Sequence, residues 1–317
     1  PRLILRDGAT LAVRSVFGLP QLETVHALGE ERGLYTVTSA LAATMGAPEH
    51  ARVERDAVGS IALRRSLGAL CADCRPVDRP VAVSSDAIAV PIRGEGMANG
   101  GLMLVDRTTL RPRGTVRPME LQAPAVLPVA GGFHIVGRRA DGALARALAS
   151  TDGSRVRVLP PVREGFDSEQ PPVLLRAGGS AIAAVGMSRA GGGVSPVTVA
   201  VWPSDDALPA APTRVIAVAR AGGASQGLSA SARSDRGWVA VAWGEQLGAG
   251  GGAKVAVVDE RGRVLLAPTA ASEGSGSMQS YTVFTGLAPH PEGFLLVWNG
   301  WQREANYAIY ARVVRCQ

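Results

Sequence analysis

The sequence predicts an all-β chain made of six repeats of one four-stranded antiparallel unit, and three observations lead there. First, a short apolar strand begins just after a turn at six places. These are Gly33-Leu-Tyr-Thr-Val, Asp86-Ala-Ile-Ala-Val, Gly132-Phe-His-Ile-Val, Gly179-Ser-Ala-Ile-Ala-Ala-Val, Gly237-Trp-Val-Ala-Val-Ala-Trp and Gly293-Phe-Leu-Leu-Val-Trp. Second, the starts are spaced by 53, 46, 47, 58 and 56 residues, and the path from Gly293 through both termini to Gly33 adds 57. Third, the composition of 39 glycines, 21 prolines and only 19% charged residues suits many short buried strands joined by tight turns. Self-similarity at such a period is the signature of radial repetition. The expectation is a six-bladed β-propeller, residues 1–317 forming a single domain.

Each repeat reads in the same order: inner strand, turn, apolar strand, loop, third strand, hairpin, edge strand. The blade at Gly33 closes on a hairpin at Asp56-Ala-Val-Gly59, and the blade at Asp86 on one at Asp106-Arg-Thr-Thr109. Thr151-Asp-Gly153 and Ser204-Asp-Asp206 punctuate the next two. The fifth blade is the clearest. Trp238–Trp243 is apolar on both faces, as a strand packed between two neighbours should be. Gly244–Ala253 reads as a loop and Lys254–Asp259 as the next strand. Gly262 supplies the positive φ of the Glu260–Arg263 turn. Pro268 marks Val264–Pro268 as an edge strand. The last blade runs Tyr281–Phe284, Phe294–Trp298 and Ala308–Val314 and is one strand short, so a strand from Leu3–Arg14 is expected to close the ring. The stretches Gly68–Arg79, Pro160–Pro171, Ala219–Gly227 and Thr269–Ser280 read as irregular connections, and Ser39–Met45 as a weak helix.

Phe294–Trp298 followed by Ala308-Ile-Tyr-Ala-Arg-Val-Val314 resembles the loose repeat of bacterial extracytoplasmic propellers, in which a Gly-apolar-Trp strand precedes an Ile-Tyr-Ala-Arg-type strand. The resemblance implies the fold and an envelope or secreted location; it implies no catalytic residue. The net charge of +6 rests on arginines scattered through every blade, with Lys254 the only lysine. That pattern fits a GC-rich bacterial genome better than a nucleic-acid patch, which needs clustering. No run approaches the apolar length of a transmembrane helix. Cys71-Ala-Asp-Cys74 fits a small-ring disulfide, a redox pair or half of a zinc site. Zinc lacks its other ligands and a redox pair lacks its helix. The expectation is a structural disulfide, with Cys316 left over.

Catalytic patterns are few. Gly223-Ala-Ser225-Gln-Gly227 matches the form of a nucleophile elbow but has strand-like flanks. Gly248-Ala-Gly250-Gly-Gly-Ala253 joins two strands rather than opening a helix. Ser150-Thr-Asp-Gly153 and Ser234-Asp-Arg-Gly-Trp238 approach the turn motif of sialidase-like propellers without its spacing. The four histidines stand apart, His134 reading as a core or pore residue, and the Asp167/Glu169 pair reads as a solvated loop. No cofactor or metal is expected.

The positive signal lies where each apolar strand ends. Those segments carry Arg93 and Glu95, Arg138 and Arg139, Arg189, Trp243 and Glu245, and Trp301, Arg303 and Glu304. Trp and Arg are enriched at binding hot spots. The sequence therefore predicts a non-catalytic interaction or scaffold module outside the cytoplasm, binding a protein or an envelope glycan. A hydrolase or lyase with an axial pocket is the alternative, and a polyanion binder the weaker one.

Overall fold

The computed structural model describes residues 2–6, 13–18, 24–30, 34–39, 49–55, 61–65, 74–76, 81–94, 100–109, 111–116, 121–141, 143–162, 172–179, 181–187, 194–202, 214–222, 224–246, 252–271, 285–302 and 306–316. The chain forms two compact units, Pro1–Pro161 and Val162–Gln317.

In the first unit, β1 (Arg2–Arg6) and β2 (Val13–Gly18) pair with each other in a two-stranded sheet. The strands β3 (Thr24–Glu30), β4 (Leu34–Ser39), β5 (Glu49–Arg55) and β6 (Ile61–Arg65) then form an antiparallel meander. In the next sheet the first position is split between β7 (Cys74–Pro76) and β8 (Ala82–Val83). Both pair with β9 (Ala87–Gly94), which is followed by β10 (Gly101–Asp106) and β11 (Pro112–Val116). The third sheet is β12 (Gln122–Val129), β13 (Gly132–Arg138), β14 (Leu144–Ser150) and β15 (Val156–Val162).

The second unit repeats the plan. One sheet is β16 (Val173–Ala177), β17 (Ala181–Met187), β18 (Val194–Trp202) and β19 (Arg214–Gly222). The next is β20 (Ala224–Arg233), β21 (Trp238–Gln246), β22 (Ala253–Asp259) and β23 (Val264–Ala270). The last has three strands, β24 (Thr285–His290), β25 (Gly293–Gln302) and β26 (Asn306–Arg315). Five sheets thus follow a path of four antiparallel strands in sequence order, and all six predicted apolar strands occupy the second place in a sheet.

Residue size and alternation explain the packing. In β9, Ala87 and Ala89 join Leu102, Leu104, Phe133 and Ile135 in one core, while Ile88, Val90 and Ile92 pack with Met103 and Val105 in another. In β21, Val239, Val241 and Trp243 face β17 and β18 residues such as Val185 and Val199. Its alternate residues Ala240 and Ala242 meet Phe294 and Leu296. A strand covered on both faces has no polar side, which is why these segments read as continuous apolar runs. The Asp259–Arg263 hairpin forms as expected, Gly262 adopting a φ of 81° and its N–H donating to the Asp259 carbonyl.

Several boundaries differ from the sequence reading. β21 runs on to Gln246 and β25 to Gln302, shortening both expected loops. The stretch Ala219–Gly227 holds the end of β19 and the start of β20 rather than an irregular connection. Cys74–Pro76 is a strand, not loop. The N-terminal strands expected at the edge of the last sheet lie in a sheet of their own. The first strand of that last sheet is Thr285–His290; the expected Tyr281–Phe284 and the Ser39–Met45 helix fall largely or wholly outside the described residues.

Candidate functional site

The turns of each four-stranded sheet fall at its two ends. At one end lie the turn between first and second strands and the hairpin between third and fourth. The carboxylates Asp86, Asp106, Asp152, Asp235, Asp259 and Glu292 lie here among arginines, each hydrogen-bonded. Arg113 reaches Asp86 Oδ2 at 3.0 Å and Asp106 Oδ2 at 2.7 Å, and Thr151 Oγ1 donates to Asp86 at 3.2 Å. The Arg113 guanidinium holds Asp86 below the usual carboxylate range. The Thr109 N–H, then Arg113, hold Asp106 well below it. The Ser150 hydroxyl and Ser154 N–H bring Asp152 down to about 2. Arg233 lowers Asp235, and Arg315 lowers Glu292. Asp259 is nearly buried, which works to raise it, but donations from the Arg261 and Arg263 N–H groups and from Arg263 Nε outweigh burial. Hydrogen bonds to the charged form are the common cause.

The same end fastens neighbouring sheets. Arg233 Nη1 donates to the carbonyls of His290 at 2.6 Å and Pro291 at 2.8 Å, tying the β20–β21 turn to the β24–β25 turn.

The opposite end, where second strands finish, carries the residues singled out in the sequence. Arg93 is the penultimate residue of β9, paired with Arg75, and Arg138 is the last of β13, paired with Gln122. Arg138 is half-buried with its Nε unpartnered. Arg139 beside it is exposed, its Nε 3.5 Å from Asp141, and its N–H closes the turn on the Ala143 carbonyl. Glu245 is the penultimate residue of β21, opposite Ser225, and Trp301 the penultimate residue of β25, opposite Tyr307. Arg93, Arg138, Glu245 and Trp301 thus all lie within the last two residues of a second strand, in four different sheets. Glu95, Arg189, Arg303 and Glu304 lie outside the described residues.

Two expectations are corrected. Trp243 is no surface anchor: it is fully buried in the core with Val241 and Val258, because β21 extends beyond it. Trp301 does not lie in a loop, because β25 and β26 keep pairing through Gln302 and Asn306. For the disulfide, Cys71 lies outside the described residues, no disulfide is present among those described, and Cys316 is a half-buried free thiol.

Sequence reasoning also missed the character of His134. It is fully buried in β13, and both ring nitrogens lack a hydrogen-bond partner. It pairs with Leu148 and shares a face with its diagonal neighbour Arg146, whose Nη2 donates to the Pro160 carbonyl at 3.3 Å. Burial, then the Arg146 charge, lower His134 to about 3. Among the described residues no three His, Cys, Asp or Glu side chains come together as a metal set. Ser225, the centre of the elbow-like motif, lies within β20 opposite Glu245, not on a strand-to-helix turn.

No protein-family model and no curated protein matches the chain. Solved structures do match its fold. The SapL1 lectin, solved in complex with alpha methyl fucoside, is similar at 9% identity and a TM-score of 0.53, over 91% of this chain and 96% of that one. The Dos1 propeller matches at 14% identity and a TM-score of 0.53, over 94% and 70%. A putative 6-phosphogluconolactonase from Bacteroides uniformis matches at 15% identity and a TM-score of 0.55, over 99% and 92%. The fold is a β-propeller. At these identities the likeness extends to the fold alone, since one propeller scaffold hosts unrelated functions.

Proposed function

We propose that the chain is a single-domain, six-bladed β-propeller acting as a non-catalytic binding module of the cell envelope or of a secreted assembly. It takes a protein partner or an envelope glycan on the face formed by the ends of the second strands. The residues at the ends of the second strands carry this reading. Arg93, Arg138 and Arg139 of the first unit, and Glu245 and Trp301 of the second, each stand at or beside the end of a second strand, and Arg and Trp are residue types suited to anchoring a ligand. The lowered carboxylates Asp86, Asp106, Asp152, Asp235, Asp259 and Glu292 all serve turns at the other. A glycoside-cleaving acid needs a carboxyl raised toward neutrality, the reverse of their state.

The test compares the two ends by biolayer interferometry on envelope polysaccharide and envelope protein fractions. Methyl fucoside, the lectin's ligand, serves as a first soluble competitor. Trp301→Ala with Arg139→Ala is expected to weaken capture at least about tenfold, a loss of about 1.4 kcal/mol. Asp235→Asn, at the turn end, is expected to leave it unchanged. Equal effects at both ends would refute the assignment of the face.

A further inference from the structure

The last blade offers a second surface, separate from the face just described. Its third strand, β26, pairs along its whole length with β25, and among the described strands nothing pairs with its other edge. The five four-stranded blades each carry a further strand at that place. Beside this edge, between β26 and the β22–β23 hairpin, runs a groove of about 500 Å³. Its apolar lining includes Val255, Leu266 and Val314, and its charged lining is Arg312 and Arg315. Both arginines are exposed and anchored. Arg312 Nη1 donates to the Ala271 carbonyl at 3.1 Å, and Arg315 Nε pairs with Glu292 at 2.5 Å.

We propose that this edge and groove accept an extended strand from a partner protein, one alternating apolar with acidic residues, by β-augmentation. Open backbone N–H and C=O groups on an edge strand template such pairing, and the pockets beside the edge select the side chains. Charge decides between donors. The chain's own N-terminal strands carry arginine as their only charged residue, Arg2 and Arg6 in β1 and Arg14 in β2. Set against Arg312 they bring like charges together, which destabilises cross-strand pairs, whereas an acidic residue complements its guanidinium; Arg315, on the alternate face of β26, already has Glu292 as its partner. β1 and β2 also already pair with each other.

The probe is a fluorescein-labelled peptide of about nine residues alternating Val and Glu, the length of a full strand, titrated into the intact protein. Fluorescence anisotropy and backbone hydrogen exchange are followed together. Micromolar binding is expected, with newly slowed exchange confined to the 306–315 amides that face away from β25 and their immediate neighbours. An Arg-for-Glu peptide is expected to bind at least about tenfold more weakly, and R312E to cost about as much. Arg312→Gln, which keeps the Arg315–Glu292 pair, should give an intermediate loss. Three results would overturn the proposal: no binding at millimolar peptide, equal binding of the arginine peptide, or protection in the free chain of those 306–315 amides that face away from β25. The last would mean that the chain fills its own groove, or, if protection rises with protein concentration, that a second copy does.

Discussion

Lowering the pH from 7 to 5 is expected to remove about 2 kcal/mol of stability through His134 alone. The folded chain holds this imidazole neutral, with its pKa lowered to about 3 from 6.5. Between those values the unfolded chain binds the extra proton. The stability conferred by a neutral His134 is therefore complete above about pH 6.5 and falls as the pH drops, reaching a total loss of about 5 kcal/mol near pH 3. The loss comes from burial and from Arg146 on the same face. The turn carboxylates, all lowered, lose their contribution only below about pH 5, so the interval from about pH 6.5 to 5 isolates the histidine from them. Urea unfolding at pH 7 and pH 5, on wild type and His134→Leu, measures this. The variant should lose far less between the two pH values. It should also be at least as stable at pH 7, since it removes two buried nitrogens without partners. A wild type equally stable at both pH values, or a variant as acid-sensitive as wild type, would contradict this account.

Gly293→Ala is expected to cost about 3 kcal/mol, from about 1–2 for backbone strain and about 1–3 for overlap. Gly293 has a φ of 146°, and a Cβ built there lies 2.2 Å from the Val314 carbonyl oxygen. At the equivalent Gly132 the Cβ would meet the Ala149 carbonyl oxygen at 2.1 Å. In both cases the obstacle is the backbone of the third strand, which cannot swing aside without breaking the ladder. Gly237→Ala should be milder despite its φ of 64°, because the nearest obstacle is the flexible end of Glu260. Thermal unfolding of the three variants should rank Gly237→Ala as the least damaging. A Gly293→Ala protein as stable as wild type would show that the β25–β26 approach is looser than described.

Those glycines explain why the repeat was legible. A second strand begins where the chain leaves a turn and passes closest to the third strand, so glycine is imposed at the same point in several blades. The run that follows is apolar on both faces because each second strand lies between two cores. Strand ends were less legible, since hydropathy carries no record of cross-strand hydrogen bonds. Asn299-Gly-Trp-Gln302 looks like a loop yet pairs residue by residue with Asn306–Ile309. Ala219–Gly227 was obscured by small residues of low strand propensity and by a break in register between Gln226 and Ser229. Trp243 was misplaced for the same reason: a continuous apolar run does not mark where burial stops. Of the candidate site, the sequence made legible only that Arg93, Arg138, Glu245 and Trp301 fall near the ends of second strands. Nothing in the sequence marked His134 as unsatisfied, because its partners are absent rather than present.

The most direct test of the binding-module reading is native mass spectrometry of the intact protein isolated from its own cells, beside the Trp301→Ala variant. The account predicts a protein or glycan mass held by wild type and lost from the variant, with no metal or small molecule in stoichiometric amount on either. A stoichiometric metal or small metabolite retained by both would contradict it and move the search to a catalytic pocket.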